Sequence, residues 1–263
     1  MLPIWREKFL PDVVIANAEN ILHGKGIGPT QIQELYDAGV NIFTGGNHSV
    51  EGKEVEKVLN DEVIPVLRPA NMDAKFPGRG VLEYKLKIKN EKSKIEKNVS
   101  LLVINLIGQA FMKPAKNEAG EHEYANPYLM ADRILKEYGS ISPHIILDFH
   151  GEATSEKSAM GWYLDGRVSL VYGTHTHVPS ADAKILPKST AFITDIGMTG
   201  AYHSVIGVEI EPTFRRFVYG EKTPKNPPEA GPIEVNAIFV ELDNSGKAVD
   251  IKHLREIVPE GKI

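Results

Sequence analysis

Four apolar stretches of this chain each end on a short run of residues that can bind a metal ion. The runs are AEN at residues 18–20, GNH at 46–48, DFH at 148–150 and GTHTH at 173–177. In α/β proteins the carboxyl ends of the strands meet at one edge of the sheet, where ligands bind. The recurrence therefore predicts an α/β fold with a polar site at one sheet edge.

The residue types in these runs narrow the chemistry of the site. Two of the histidines, spaced i and i+2, lie on the same face of an extended strand and can enter a common site. Carboxylate, amide oxygen and imidazole suit iron, manganese or zinc, and the chain has no cysteine. The candidates outnumber the ligands of one tetrahedral ion, which predicts two adjacent ions bridged by a carboxylate, naturally that of Glu19. The candidate ligands are Glu19, Asn20, Asn47, His150, His175 and His177.

The hydrophobic pattern predicts strands that alternate with helices. We expect helices at residues 29–38, 51–60, 127–138 and 155–162. Strands are expected at residues 12–17, 41–44, 64–67, 145–149, 170–172, 191–195, 205–210 and 233–242. An antiparallel pair at residues 81–88 and 99–106 is joined by the lysine-rich residues 89–98, which we interpret as a solvated hairpin tip. The long loop at residues 110–126 is either a lid or solvent-exposed filler, and we favour filler.

Composition and charge restrict the class of protein. With 263 residues, 42% apolar and 25% charged, the chain can bury the core of one large domain. A net charge of −5 offers no general basic surface for long nucleic acid and favours small anionic substrates. No apolar run approaches the ~20 residues of a membrane span, and residues 1–8 do not have the pattern of a signal peptide. Without cysteine there is no disulfide framework, so we expect a cytoplasmic protein with no membrane partner.

Two of the metal-binding runs and three longer stretches resemble a known family. GNH at residues 46–48 and GTHTH at 173–177 resemble the Gly-Asn-His and Gly-His-x-His blocks of calcineurin-like metallophosphoesterases, with an additional Thr before the first His. VIANAEN at 14–20, HGEATSEK at 150–157 and TDIGMTG at 194–200 are similar to the bacterial YmdB-type branch, described as 2′,3′-cyclic-nucleotide phosphodiesterases. Blocks of this length are too long for chance matches.

The resemblance implies a calcineurin-like metallophosphoesterase fold, in which two mixed β-sheets pack face to face with helices outside, a four-layer αββα sandwich. It also implies that the family opens with a strand ending in Gly-Asp-Ile, whose Asp binds the first ion. Residues 1–9 correspond to the tail of the helix that follows this strand. We therefore expect residues 1–263 to form a single domain, N-terminally truncated relative to the family, with a first metal site that has one ligand fewer.

The resemblance also implies a role for each candidate ligand. Glu19 bridges two ions, iron or manganese; Asn20 and His177 bind the first ion, and Asn47, His150 and His175 bind the second. His48 corresponds to the proton donor, a role that suits an imidazole. Two such ions activate water as hydroxide and hold the phosphate oxygens during in-line displacement. Because ligating histidines usually donate their other N–H to an acceptor, we also expect Asp148, Glu152 and Asp195 to orient ligand imidazoles.

Three functions remain open from the sequence. The first is hydrolysis of a small-molecule phosphodiester, with 2′,3′-cyclic nucleotides as the favoured class. The second is a phosphomonoesterase or nucleotidase on the same metal core. The third is a catalytically weakened regulatory protein that binds nucleotides, suggested by the expected loss of one metal ligand. The sequence is also compatible with a homo-oligomer.

Overall fold

The computed structural model describes residues 1–22, 24–89, 96–117 and 120–261. The helices are α1 (Leu2–Phe9), α2 (Pro29–Asp37), α3 (Val55–Leu59), α4 (Pro127–Tyr138), α5 (Thr154–Leu164) and α6 (Ile210–Tyr219). The first seven strands are β1 (Ile15–Asn17), β2 (Ile42–Thr44), β3 (Val81–Lys89), β4 (Glu96–Ile107), β5 (Ala115–Asn117), β6 (Gly120–His122) and β7 (His144–His150). The others are β8 (Leu170–Thr174), β9 (Lys184–Ile185), β10 (Ala191–Ile193), β11 (Gly200–Ala201), β12 (Ile233–Leu242) and β13 (Ala248–Val258).

The central sheet has six strands in the order β3-β4-β7-β8-β10-β9. Strands β4, β7, β8 and β10 are parallel to one another, and β3 and β9 are antiparallel edge strands. Strand β8 is buried along its whole length, and β7 is buried after its first residue. Burial on both faces is typical of parallel strands and accounts for their continuous apolar sequences.

A second β layer packs against one face of the six-stranded sheet. It contains the parallel pair β1-β2 and the antiparallel sheet β11-β12-β13. Side chains from both layers share one apolar cluster, which includes Ile42 of the second layer, Val103, Ile146 and Ile193 of the central sheet, and the partly buried Ile238 of β12. The two β layers therefore face each other across a common core.

Helices cover the outer faces of the central sheet and of the β1-β2 pair. On the central sheet, Ala131 and Ile134 of α4 and Met160 of α5 pack against the apolar side chains of β4 and β7. On the β1-β2 side, Ile32 of α2 and Val58 of α3 close a separate cluster. The order helix, sheet, sheet, helix is the four-layer architecture that the family resemblance implied.

Two predicted strands are wrong. Residues 64–67 make only isolated bridges, Phe43 to Val66 and Leu67 to Arg79, because Pro65 has no N–H to donate to a ladder. Residues 205–208 of this predicted strand form a tight turn closed by Val205 and Val208, in which Ile206 and Gly207 have φ values of 48° and 93°. A positive φ ends an extended strand, and α6 begins directly after this turn.

The other elements agree closely with the predicted bounds or shorten them. Helix α4 and strand β12 have the predicted ends, whereas α3 is limited to five residues. Asn126 fixes the start of α4, because its side chain accepts the N–H groups of Tyr128 and Leu129. The sequence did not predict α6, β13 or the short strands β5, β6, β9 and β11.

The long loop at residues 110–126 is not solvent-exposed filler throughout. Ala115 and Tyr124 are buried against Met72, Phe76 and Ile107, and strands β5 and β6 pair within the loop. Residues 90–95 of the predicted hairpin tip lie outside the described residues. Within the described ranges, no helix has the length and apolar character needed to cross a membrane.

Candidate metal centre

The predicted ligands meet where the ends of two different sheets come together. Glu19 and Asn47 follow β1 and β2 of the second layer, whereas His150 ends β7 and His175 follows β8 of the central sheet. The sequence predicted a single sheet edge. The four-layer packing instead brings two edges together, so the site receives side chains from both sheets.

The first group of ligand atoms surrounds the imidazole of His150. Its Nε2 atom lies 2.9 Å from Asn47 Oδ1 and 3.0 Å from His175 Nδ1. The same atom lies 3.2 Å from Glu19 Oε1. One ligand atom from each of Glu19, His150 and His175 falls within 4.8 Å of the others. Oxygen and nitrogen atoms that converge in this way fit a cation of the first transition series.

The second group contacts the same Glu19 oxygen, Oε1, as His150 does. Asn20 Nδ2 is 3.2 Å from Glu19 Oε1 and 3.2 Å from His177 Nε2. The His177 Nδ1 atom faces the carbonyl of Ile206 at 3.2 Å, so a neutral ring donates from Nδ1 and directs Nε2 towards Asn20. All six predicted ligands therefore form one connected cluster, in which Glu19 Oε1 contacts both groups.

The histidine pair reaches this cluster from a turn, not from an extended strand. His175 and His177 have backbone φ values of 105° and 67°, which residues other than glycine rarely adopt. The turn directs His175 towards His150 and His177 towards Asn20. The prediction that strand geometry places both rings on one face is therefore wrong, although both rings enter the site.

Gly46 provides the space in which the two sheets approach each other. A Cβ atom on this residue would lie 2.3 Å from Glu19 Oε2 and 2.3 Å from His150 Nε2. Any side chain at position 46 would therefore overlap the ligands. The glycine of the GNH run is required by this close approach.

A hydroxyl group links His150 to a buried carboxylate. His150 Nδ1 lies 2.9 Å from Thr174 Oγ1, and this hydroxyl donates to Asp148 Oδ1 at 2.8 Å. Asp148 also accepts from Thr44 Oγ1 and from Asn17 Nδ2 at 3.1 Å. Because the Thr174 proton goes to the carboxylate, the hydroxyl accepts from Nδ1, and Nε2 of a neutral His150 faces the cluster. The sequence predicted a direct contact between the Asp148 carboxylate and a ligand imidazole. In the structure the contact passes through the hydroxyl of Thr174, the additional Thr of GTHTH.

The two other predicted acceptors differ in what they contact. Glu152 Oε2 lies 3.0 Å from His175 Nε2, as predicted, which leaves Nδ1 of that ring towards His150. Asp195 does not contact an imidazole in the part of the chain that the structure describes. Its carboxylate accepts instead from the backbone and the hydroxyl of Thr176.

His48 stands at the edge of the cluster. Its backbone N–H donates to Glu19 Oε2 at 3.1 Å, and its Nδ1 lies 2.8 Å from Glu51 Oε1. The side chain is 22% exposed, so the ring can exchange protons with solvent or a ligand. The sequence analysis did not identify Glu51, although its spacing of three residues from His48 within one turn was a usable signal.

The surroundings favour the protonation states that metal ligands require at Glu19 and His175, but not at His150. Burial raises the pKa of Glu19, but the charge and hydrogen bond of His150 outweigh burial and lower it to about 2. Burial and the neighbouring His150 lower the pKa of His175 to about 4. Glu19 is therefore ionised and His175 neutral near pH 7, and metal binding requires both conditions. Burial lowers the pKa of His150, but the charge and hydrogen bond of Glu19 outweigh burial and raise it, so this ring must release its proton when it binds a metal.

Comparison with known proteins identifies the family. The model of the YmdB-like protein family matches residues 1–254. This chain belongs to the YmdB-like family. The 2′,3′-cyclic-nucleotide 2′-phosphodiesterase of Bacillus subtilis (strain 168) is 38% identical to it over 254 residues, which cover 96% of this chain and 88% of that protein.

Solved structures confirm the predicted fold. A novel phosphatase from Mycoplasma pneumoniae is 34% identical, with a TM-score of 0.85 over 99% of this chain and 87% of that chain. The calcineurin-like phosphoesterase YfkN from Bacillus subtilis superposes with a TM-score of 0.52 over 97% of this chain and 72% of that chain. At 12% identity the latter shows the fold alone. This YmdB-like chain therefore has the calcineurin-like phosphoesterase fold.

Proposed function

We propose that this chain is a metal-dependent phosphodiesterase that hydrolyses cyclic nucleotides, with 2′,3′-cyclic nucleotides as the favoured substrates. The observation that carries the proposal is the convergence of the buried Glu19 carboxylate and five other candidate ligand side chains in one connected cluster. The B. subtilis relative, named a 2′,3′-cyclic-nucleotide 2′-phosphodiesterase, supports the substrate class.

The donor set fits two metal ions, and we propose iron or manganese. Asn47, His150 and His175 would hold one ion, Asn20 and His177 the other, and Glu19 both. Carboxylate, amide and imidazole ligands without thiolate suit these metals. When bound, the ions supply an activated water and positive charge for the phosphate oxygens.

The chain itself supplies the proton and the orientation of the ligands. His48 would donate a proton to the departing ribose oxygen, and the Glu51 carboxylate beside Nδ1 holds the ring in place. The hydroxyl of Thr174 fixes the ring nitrogen that His150 presents to the site. Glu152 does the same for His175. The protein therefore contributes geometry and one acid group to the reaction.

The name of the M. pneumoniae neighbour, a phosphatase, favours phosphomonoester hydrolysis as a second candidate function. An assay of the purified, Mn²⁺-loaded chain on 2′,3′-cyclic AMP and on 3′-AMP distinguishes the two functions. The variant His175→Ala is the metal-site control. We expect faster turnover of the cyclic diester and loss of turnover in the variant. Faster turnover of the monoester would support the phosphatase, and binding of the diester without turnover would support a regulatory protein.

A further inference from the structure

A buried ion pair contacts the turn that contains His175 and His177, which we call the histidine turn. Lys157 of α5 is 2% exposed and Asp195, which follows β10, is 3% exposed. The Lys157 ammonium donates to Asp195 Oδ2 at 2.9 Å. Burying two charges is costly unless their other hydrogen-bonding capacity is satisfied. The other hydrogen bonds of the two side chains therefore indicate the role of the ion pair.

The Asp195 carboxylate connects three parts of the chain. Besides Lys157, Oδ2 accepts from the backbone N–H of Thr176 at 3.1 Å and from its hydroxyl at 2.8 Å. The other oxygen, Oδ1, accepts from Gly197 N at 2.9 Å. Helix α5, the histidine turn and the segment after β10 thus share one carboxylate.

Thr176 is the residue between the two unusual φ values of the turn. His175 and His177 on either side of it both have positive φ, a conformation that persists only where the surrounding structure holds it. Both hydrogen bonds from Thr176 to Asp195 act at the centre of this strained run.

The lysine reaches Asp195 by passing close to the backbone at the end of β8. A Cβ atom on Gly173 would lie 2.8 Å from the Cδ atom of Lys157 and 1.8 Å from the carbonyl oxygen of Thr194. Gly173 therefore leaves room for the lysine stem beside the histidine turn. The lysine of HGEATSEK therefore requires the glycine of GTHTH in this packing.

We propose that Lys157 and Asp195 are positioning residues that hold the histidine turn in its metal-binding conformation. The inference rests on the proposed metal site, since it concerns two of the proposed ligands. Neither residue forms a hydrogen bond with a proposed ligand side chain among the described residues. Their effect passes through Thr176 to the backbone of His175 and His177.

The test measures the dissociation constant for Mn²⁺ by equilibrium dialysis, without substrate, and the melting temperature of each variant. Asp195→Asn and Lys157→Met should weaken Mn²⁺ binding by about 10–100-fold, the usual effect of residues that support metal ligands. Thr176→Val, which leaves the ion pair intact, should weaken it by about tenfold. Asp165→Asn is the control. This carboxylate is also buried, but among the described residues it accepts a hydrogen bond only from Lys188 N, which lies outside the histidine turn.

A double variant separates positioning from simple stabilisation. Lys157→Met with Asp195→Leu replaces the pair by apolar groups, which often restores the stability lost with one charged partner. We expect the double variant to melt at a higher temperature than Lys157→Met alone, which leaves an unpaired buried carboxylate. It should still melt below the unmodified chain and bind Mn²⁺ weakly, because Thr176 and Gly197 have lost their acceptor. Recovery of Mn²⁺ binding in the double variant would overturn the inference.

His175→Ala distinguishes failure of this inference from failure of the proposed function. If His175→Ala binds Mn²⁺ weakly but folded Thr176→Val and Asp195→Asn bind it as the unmodified chain does, only the positioning role is wrong. If His175→Ala also binds Mn²⁺ normally, the metal site is wrong and the positioning role falls with it.

Discussion

At the scale of single residues, hydrogen bonds select which nitrogen of each imidazole faces the site. His150 is held at Nδ1 by Thr174, His175 at Nε2 by Glu152, and His177 faces a backbone carbonyl with Nδ1. A neutral imidazole has one donor and one acceptor nitrogen, so these contacts leave the acceptor nitrogen towards the cluster. The ligand set therefore depends on residues that bind no metal themselves.

We predict that Thr174→Val weakens Mn²⁺ binding by ~10–100-fold, because His150 loses the acceptor that fixes its orientation. Equilibrium dialysis measures the effect. Thr190→Val is a matched control, since Thr190 is also buried. Its hydroxyl donates to the carbonyl of Val168 and accepts from Gly166 N, and neither residue is a candidate ligand. Equal Mn²⁺ affinity in the two variants, with similar melting temperatures, would contradict the role of Thr174.

His48 should be separable from the metal ligands. We predict that His48→Ala keeps its metal content, because its backbone contact to Glu19 remains, and loses ~10²–10⁴-fold in turnover of a cyclic nucleotide. The loss should be smaller on a nitrophenyl phosphodiester, whose leaving group needs no proton. An equal loss on both substrates would rule out a general-acid role.

At the scale of secondary-structure elements, the site depends on how closely the end of β2 approaches the end of β7. We predict that Gly46→Ala abolishes tight Mn²⁺ binding, because the added methyl group would overlap Glu19 and His150. Gly151→Ala is the control: it adjoins His150, but its Cβ would have ordinary contacts of 3.6 Å or more. Metal analysis after dialysis should show loss of metal only in the first variant. Metal retained in Gly46→Ala would show that the two strand ends can separate without harm to the site.

At the scale of the whole molecule, the two groups of ligands differ in number. One group has three side chains besides Glu19, and the other has two, within the residues that the structure describes. We predict that Mn²⁺ titration shows a tighter and a weaker step. His175→Ala should remove the tighter step, whereas His177→Ala should remove the weaker one. A single step that both variants abolish would contradict two separable sites.

Metal binding should also stabilise the whole fold, since the ligands come from both β layers. Free Mn²⁺ at about 100 times its dissociation constant should add ~2.7 kcal/mol to the free energy of unfolding and raise the melting temperature by several degrees. Calorimetry with and without a chelator measures the shift. No shift on removal of the metal would indicate that the ligand cluster does not hold an ion.

The cytoplasmic location and the homo-oligomer considered from the sequence remain predictions.

The sequence by itself determined the residue types at the ends of the strands, and with them the chemistry of the site. Local patterns sufficed there, because apolar periodicity and turn-forming residues act over a few positions, as in α4 and β12. They failed where backbone conformation overrides periodicity, as at Pro65 and at the positive φ of Ile206. The family resemblance, not periodicity, supplied the face-to-face sheets.

Only the tertiary structure decided how the ligands are held. The contact of Thr174 with Asp148 and His150, the Lys157–Asp195 pair and the space at Gly46 each join residues that are distant in the chain. The left-handed turn at His175 and His177 likewise depends on a carboxylate about twenty residues away. Such contacts arise from the packing of two sheets against each other, and a local sequence pattern carries no information about that packing.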